Sequence, residues 1–134
     1  MADIKLDVKF ANKFYGTFKN ERDEGRIGLQ QDGFAPYELL FAALASCFYA
    51  TMRDILKKRN MEYDGVDIHI SGHKLTEGVP QYLEYAKIEV TYRGMAEDDH
   101  TFAKKAVDLA SKYCSIFQTL AKVAEMETEV KFED

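Results

Sequence analysis

Residues 36–59 constrain the fold of this chain more than any other segment. Pro36 suits the first helical position, where its missing N–H loses no partner. Glu38 falls in the first turn, where a negative charge favours the helix dipole. Nothing then interrupts a helix as far as Arg59, and Asn60 is a suitable C-terminal stop. The internal run FAALASCFYATM is apolar nearly all round, so this helix should be core on most faces. Leu40, Ala43, Leu44, Cys47, Thr51 and Met52 share one stripe. Arg53, Lys57, Lys58 and Arg59 lie toward the end where cations are favoured. So apolar a segment is hard to cover within 134 residues.

The remaining segments read mostly as strands. Leu6, Val8 and Phe10 alternate with Lys5, Asp7 and Lys9, which predicts a strand with one buried face. Asn12 and Lys13 mark a turn, Phe14 to Phe18 a returning strand, and Arg26 to Gln30 a short third one. Asp32 and Gly33 end this antiparallel meander. After the long helix, Val66, Ile68 and Ile70 alternate with polar residues, and so do Ala86, Ile88, Val90 and Tyr92. Gly78 and Pro80 mark the loop between them. A second helix should begin near Glu97, Asp98 and Asp99, with Phe102, Ala103, Ala106, Val107, Ala110 and Cys114 as its apolar stripe. Ser115 and Gln118 have capping-box spacing, which predicts a break at Cys114 and a short helix over 116–123. Thr128, Val130 and Phe132 form a closing strand. The order β-β-β-α-β-β-α-α-β, within one domain over 1–134, is α+β, with helices against antiparallel sheet.

Composition narrows the function classes. Residues of the AVILMFWYC set make up 46% of the chain, which supplies a core and excludes disorder as the default. The net charge of −5 argues against a general nucleic-acid binder. No continuous apolar run approaches the ~18 residues of a membrane span. Met1, Ala2 and Asp3 open no apolar signal region, so a cytoplasmic protein without a membrane partner is expected.

Cys47 and Cys114 are the two cysteines. They are either inert buried thiols or a redox pair. Cys47 lies eleven residues into the long helix, ~16 Å from its start, beyond reach of the dipole. Activation would require a cation from elsewhere in the fold. Cys114, at the predicted break, is expected to be accessible and mobile. His69 and His73 are four apart on a strand, roughly 13 Å, too far to share a metal ion. His100 should face solvent in a first helical turn. No Ser-His-Asp set, phosphate-binding glycine loop or metal motif is present, and no cofactor is implied. Phe41, Phe48, Tyr49 and Phe117 lie near the cysteines in sequence, either as core or as a greasy pocket.

Pro36-Tyr37-Glu38-Leu39-Leu40-Phe41-Ala42-Ala43-Leu44-Ala45-Ser46-Cys47 resembles the P-x-E-L-L-x-A-A-L-x-x-C signature of the OsmC/Ohr family, the osmotically inducible and organic-hydroperoxide-resistance proteins. Ala106 to Ala110 followed by Tyr113-Cys114-Ser115 resembles the family's second signature, and Val66 to Gly72 its post-helix strand. The resemblance implies sheets around two long helices in an intertwined homodimer. It implies a peroxidatic Cys47 that attacks an organic hydroperoxide, and a resolving Cys114 that forms a disulfide with it. A small or lipoylated dithiol would restore both thiols. An arginine would stabilise the Cys47 thiolate, and Arg26 best fits its place, with Arg22 a close alternative. Tyr37, Phe41, Phe48 and Phe117 would line the substrate pocket. Family peroxidases carry a glutamate directly after the helix-opening proline, where this chain has Tyr37; its glutamate is Glu38. One residue rotates a helix by about 100°, so Glu38 should point elsewhere and serve the helix terminus. The pattern resembles the broader OsmC-like branch. An alternative reading is a small-molecule-binding protein without peroxidase turnover.

Overall fold

The computed structural model describes residues 3–29 and 32–134. The element order is β1 (Asp7–Phe10), β2 (Gly16–Lys19), β3 (Glu24–Ile27), α1 (Pro36–Lys58), β4 (Gly65–Lys74), β5 (Leu83–Arg93), α2 (His100–Tyr113), α3 (Ser115–Leu120) and β6 (Glu125–Glu133). A 3-10 turn, Glu97–Asp99, leads into α2. This is the expected order. The predicted Met1 and Ala2 terminus and the Gln30 end of the third strand lie outside the described residues. The chain divides into two compact units after Ala42.

In the first unit, β1, β2 and β3 form an antiparallel meander in that order. Asn20 Oδ1 accepts from the Arg22 and Asp23 N–H groups and closes the β2–β3 turn. The third strand therefore starts at Glu24, two residues earlier than expected. Phe34 then exchanges backbone hydrogen bonds with Arg26 and Gly28. A Cβ at Gly33, where φ is +149°, would lie 2.8 Å from the Arg26 carbonyl oxygen, so this approach needs glycine. The expected buried face of β1 is absent: Leu6, Val8 and Phe10 are 55%, 49% and 47% exposed. A sheet buries a face only where another layer packs on it. Among the described elements, this unit holds its three strands and residues 36–42 of α1.

In the second unit, the sheet order is β4-β5-β6. β4 and β5 form an antiparallel hairpin, with Ile68 opposite Val90. β6 pairs with β5 in parallel, Val130 beside Val90, so the sheet is mixed where an antiparallel one was expected. A parallel neighbour requires a long crossover, and α2 and α3 supply it. The core joins Leu44, Phe48, Met52 and Leu56 of α1, Ile88, Val90 and Tyr92 of β5, and the expected small stripe of α2. Tyr92 donates to the Ala103 carbonyl, tying β5 to α2.

The buried line of α1 follows strict fourfold spacing from Leu44, so Cys47 and Thr51 flank it and only part of the helix is core. By length and composition α1 would suffice to cross a membrane, unlike the expectation from uninterrupted runs; here it contributes four residues to the core. Its end is a Schellman turn. Asn60 has φ 53°, its N–H bonds to the Lys57 carbonyl, and the Met61 N–H bonds to that of Leu56.

Candidate active site

Both cysteines belong to the second unit. Cys47 is half-buried on α1, while Cys114 is fully buried at the break between α2 and α3. Their sulfurs lie 3.1 Å apart, with the Cys114 thiol donating to Cys47. The chain thus brings together two thiols 67 residues apart in sequence.

The break has a specific local cause. Cys114 has extended backbone angles, φ −73° and ψ 116°, which stop α2. Its sulfur accepts from the Phe117 N–H at 3.4 Å and so acts as the N-cap of α3. The capping box expected from Ser115 and Gln118 is therefore displaced by one residue. Gln118 instead donates its side-chain amide to the Ser111 carbonyl at 2.7 Å, satisfying a late acceptor of α2. The expectation of an accessible, mobile Cys114 is also corrected. Its side chain completes the apolar stripe of α2 while its sulfur is engaged from two sides.

The surroundings push the two thiols apart in acidity. Partial burial raises Cys47, but hydrogen bonds from the Ile116 backbone N–H, the Cys114 thiol, the Ser115 hydroxyl and the Ser115 N–H outweigh it and leave it below its ordinary value. Burial pushes Cys114 up to about 11; the Phe117 N–H partly offsets this, and the neighbouring Cys47 adds to it. Cys47 is thus the more readily ionised of the two thiols, and Cys114 the one that holds its proton. The sequence suggested that only a distant cation could activate Cys47. In the structure, the start of α3 acts on it from within the same unit.

The other predicted site residues are distributed as follows. Glu38 Oε1 accepts from the Ala35 N–H at 2.8 Å, so the carboxylate serves the helix terminus, as its one-residue offset implied. Arg22 lies in the β2–β3 turn and Arg26 on β3, both exposed, and with Tyr37, Glu38 and Phe41 they belong to the first unit. Phe48 and Phe117 are buried with ring centroids 5.9 Å apart, so both contribute to the core. A surface cavity lined by Arg53, Lys57, Asn60, Met61, Glu62 and Tyr63 contains neither cysteine.

Among the described residues no cluster of His, Cys, Asp and Glu could hold a metal ion. His73 lies 3.1 Å from Glu84 and stacks on Tyr85. His100 does not face solvent as expected: it stacks on Phe132 at 3.6 Å, with Nε2 3.2 Å from the Met95 carbonyl. Sequence reasoning missed Ser115. Its Oγ lies 3.9 Å from Cys47 Sγ, and the S-x-x-Q pattern assigned that hydroxyl to the helix instead.

Comparison with known proteins identifies the fold and the family. A hydroperoxide reductase from Mycoplasma pneumoniae is 24% identical over 98 residues, covering 73% of this chain and 70% of that protein. The crystal structure of an OsmC like protein from Mycoplasma pneumoniae matches with a TM-score of 0.83 at 17% identity, over 99% of both chains. That of a hypothetical protein from Aquifex aeolicus VF5 matches with a TM-score of 0.81 at 24% identity, over the whole of both chains. These structures share the fold. Residues 29–129 match the family described as OsmC-like protein, and the chain belongs to that family.

Proposed function

We propose that this protein is a thiol-dependent peroxidase that reduces organic hydroperoxides through Cys47 and Cys114. The observation that carries this reading is the 3.1 Å approach of a thiol held low to a thiol held high. The Cys47 thiolate attacks the distal oxygen of the hydroperoxide. A sulfur–oxygen bond forms, the oxygen–oxygen bond breaks, and the alkoxide leaves as the alcohol after taking a proton. Cys47 is then a sulfenic acid. The Cys114 sulfur attacks the Cys47 sulfur, its proton goes to the departing hydroxide, and water and a disulfide result. A small or lipoylated dithiol returns both cysteines to thiols by two exchanges.

The same reading assigns the Arg22 or Arg26 guanidinium to the Cys47 thiolate and makes the working form a homodimer. The half-exposed Leu6, just before β1, and Val8 and Phe10 on it support a dimer, since they form an exposed apolar row. The hydroperoxide reductase from Mycoplasma pneumoniae supports the chemistry.

The test is single-turnover oxidation of the fully reduced protein. One equivalent of cumene hydroperoxide should remove two thiols and two hydrogens of mass within seconds, faster than hydrogen peroxide does. Full turnover by Cys47→Ser would overturn the mechanism. A second reading, a small-molecule-binding protein without turnover, is favoured by one feature: the carboxylate of Glu38 is engaged at the helix terminus. It predicts no loss of thiols over minutes with either peroxide.

A further inference from the structure

We propose that Ser115 is a positioning residue for Cys47, its hydroxyl being a side-chain donor that stays on the Cys47 sulfur through the reaction. The inference deepens the peroxidase reading and rests on it for its catalytic meaning, although the contact itself does not. Three observations carry it. Ser115 is the first residue of α3 and not its cap, because the Cys114 sulfur takes the Phe117 N–H. The Ser115 hydroxyl is therefore not consumed by the helix as its sequence pattern implies. Its Oγ lies 3.9 Å from Cys47 Sγ, on the same sulfur that the Cys114 thiol reaches at 3.1 Å. Either atom of a neutral Ser–Cys pair could donate, but a thiolate has no proton. Once Cys47 ionises, the proton in this contact belongs to Ser115.

The second side-chain donor matters because the first, the Cys114 thiol, is spent during the proposed reaction. When Cys114 attacks the oxidised Cys47, its proton leaves and it no longer stabilises anything. When the disulfide is reduced again, the dithiol attacks the more accessible Cys47 and releases Cys114, and its second thiol then displaces Cys47 as the thiolate. The Ser115 hydroxyl then receives the negative charge of Cys47 together with the Ile116 and Ser115 N–H groups. Hydrogen bonds to charged groups are stronger than those between neutral ones, so the hydroxyl should matter more to the thiolate than to the thiol. Ser115 is exposed, so its replacement leaves the core intact.

The experiment compares Ser115→Ala and Ser115→Thr with the unaltered protein by iodoacetamide alkylation across pH. Modification at Cys47 is read separately from Cys114 by peptide mass. Ser115→Ala should move the Cys47 midpoint upward by about half to one pH unit, slowing alkylation at neutral pH by about three- to tenfold. Ser115→Thr, which keeps the hydroxyl, should restore the original profile. Superimposable profiles for Ser115→Ala and the unaltered protein would overturn the proposal. So would an equal upward shift in both variants, since the change would then not follow the hydroxyl. No peroxide is used. If the profiles shift as expected and hydroperoxide is still not turned over, only the peroxidase reading fails.

Discussion

Cys47 and Cys114 show how far a residue's chemistry can depart from its local sequence. An apolar helical stripe raises a thiol, and on that ground Cys47 reads as inert. In the structure its acidity is set by groups 67 to 69 positions away, at the start of α3. Cys47 alkylation should therefore rise with pH and level off below the ordinary cysteine range, while Cys114 stays protonated up to about 11. The sign follows from the thiolate being the reactive form, so lowering the folded value extends reactivity toward neutral pH. Replacing Cys114 by serine should leave the first oxidation step and remove the second. Intact mass after one equivalent of hydroperoxide should then gain one oxygen instead of losing two hydrogens. In the unaltered protein, a Cys114 thiol that still alkylates after denaturation following one equivalent of hydroperoxide would mean that Cys114 is not the resolving thiol.

At the scale of elements, the two ends of α1 are settled by one residue each. Glu38 closes the N-terminal end by accepting from Ala35. Glu38→Ala should lower stability by about 0.5 kcal/mol in chemical denaturation. It should leave Cys47 oxidation within about twofold of the original rate if the carboxylate serves the terminus alone. A larger loss of rate would show that it also acts on the thiol pair. At the other end Asn60 has a positive φ, which a side chain with a Cβ adopts reluctantly. Asn60→Ala should cost about 1 kcal/mol, whereas Asn60→Gly should be neutral or slightly stabilising, both read from urea midpoints at unchanged slope. Both termini were legible in the sequence because proline, acid and asparagine act locally. The α3 cap was not. A cysteine is a weak acceptor and gives no sequence signal, so the Ser115 pattern pointed one residue too late.

The whole molecule raises the question of cover. Phe48 is fully buried and Phe117 nearly so, and they join α1 to α3 through one core cluster. Phe48→Ala should cost about 3–5 kcal/mol, read by denaturation, which would identify a core ring and not a pocket wall. The first unit has the opposite character, with Leu6, Val8 and Phe10 half-exposed in a single chain. Under the proposed homodimer, sedimentation at micromolar concentration should give twice the 15.4 kDa chain mass. A stable species at the chain mass would leave this apolar row unexplained and remove the dimer from the proposal.

The sequence alone determined the element order, the α+β class, the ends of α1, the stripe of α2 and the break at Cys114. Each depends on periodicity or on a residue's own backbone preference, over distances of a few positions. It also contained the paired signatures around Cys47 and Cys114. Only the tertiary structure decided that β6 lies parallel to β5, that the two sulfurs lie 3.1 Å apart, and that Cys114 caps α3 while Ser115 faces Cys47. These depend on which distant segments share one core. Acidity is set by the groups that surround an atom in space, and no spacing along the chain records them.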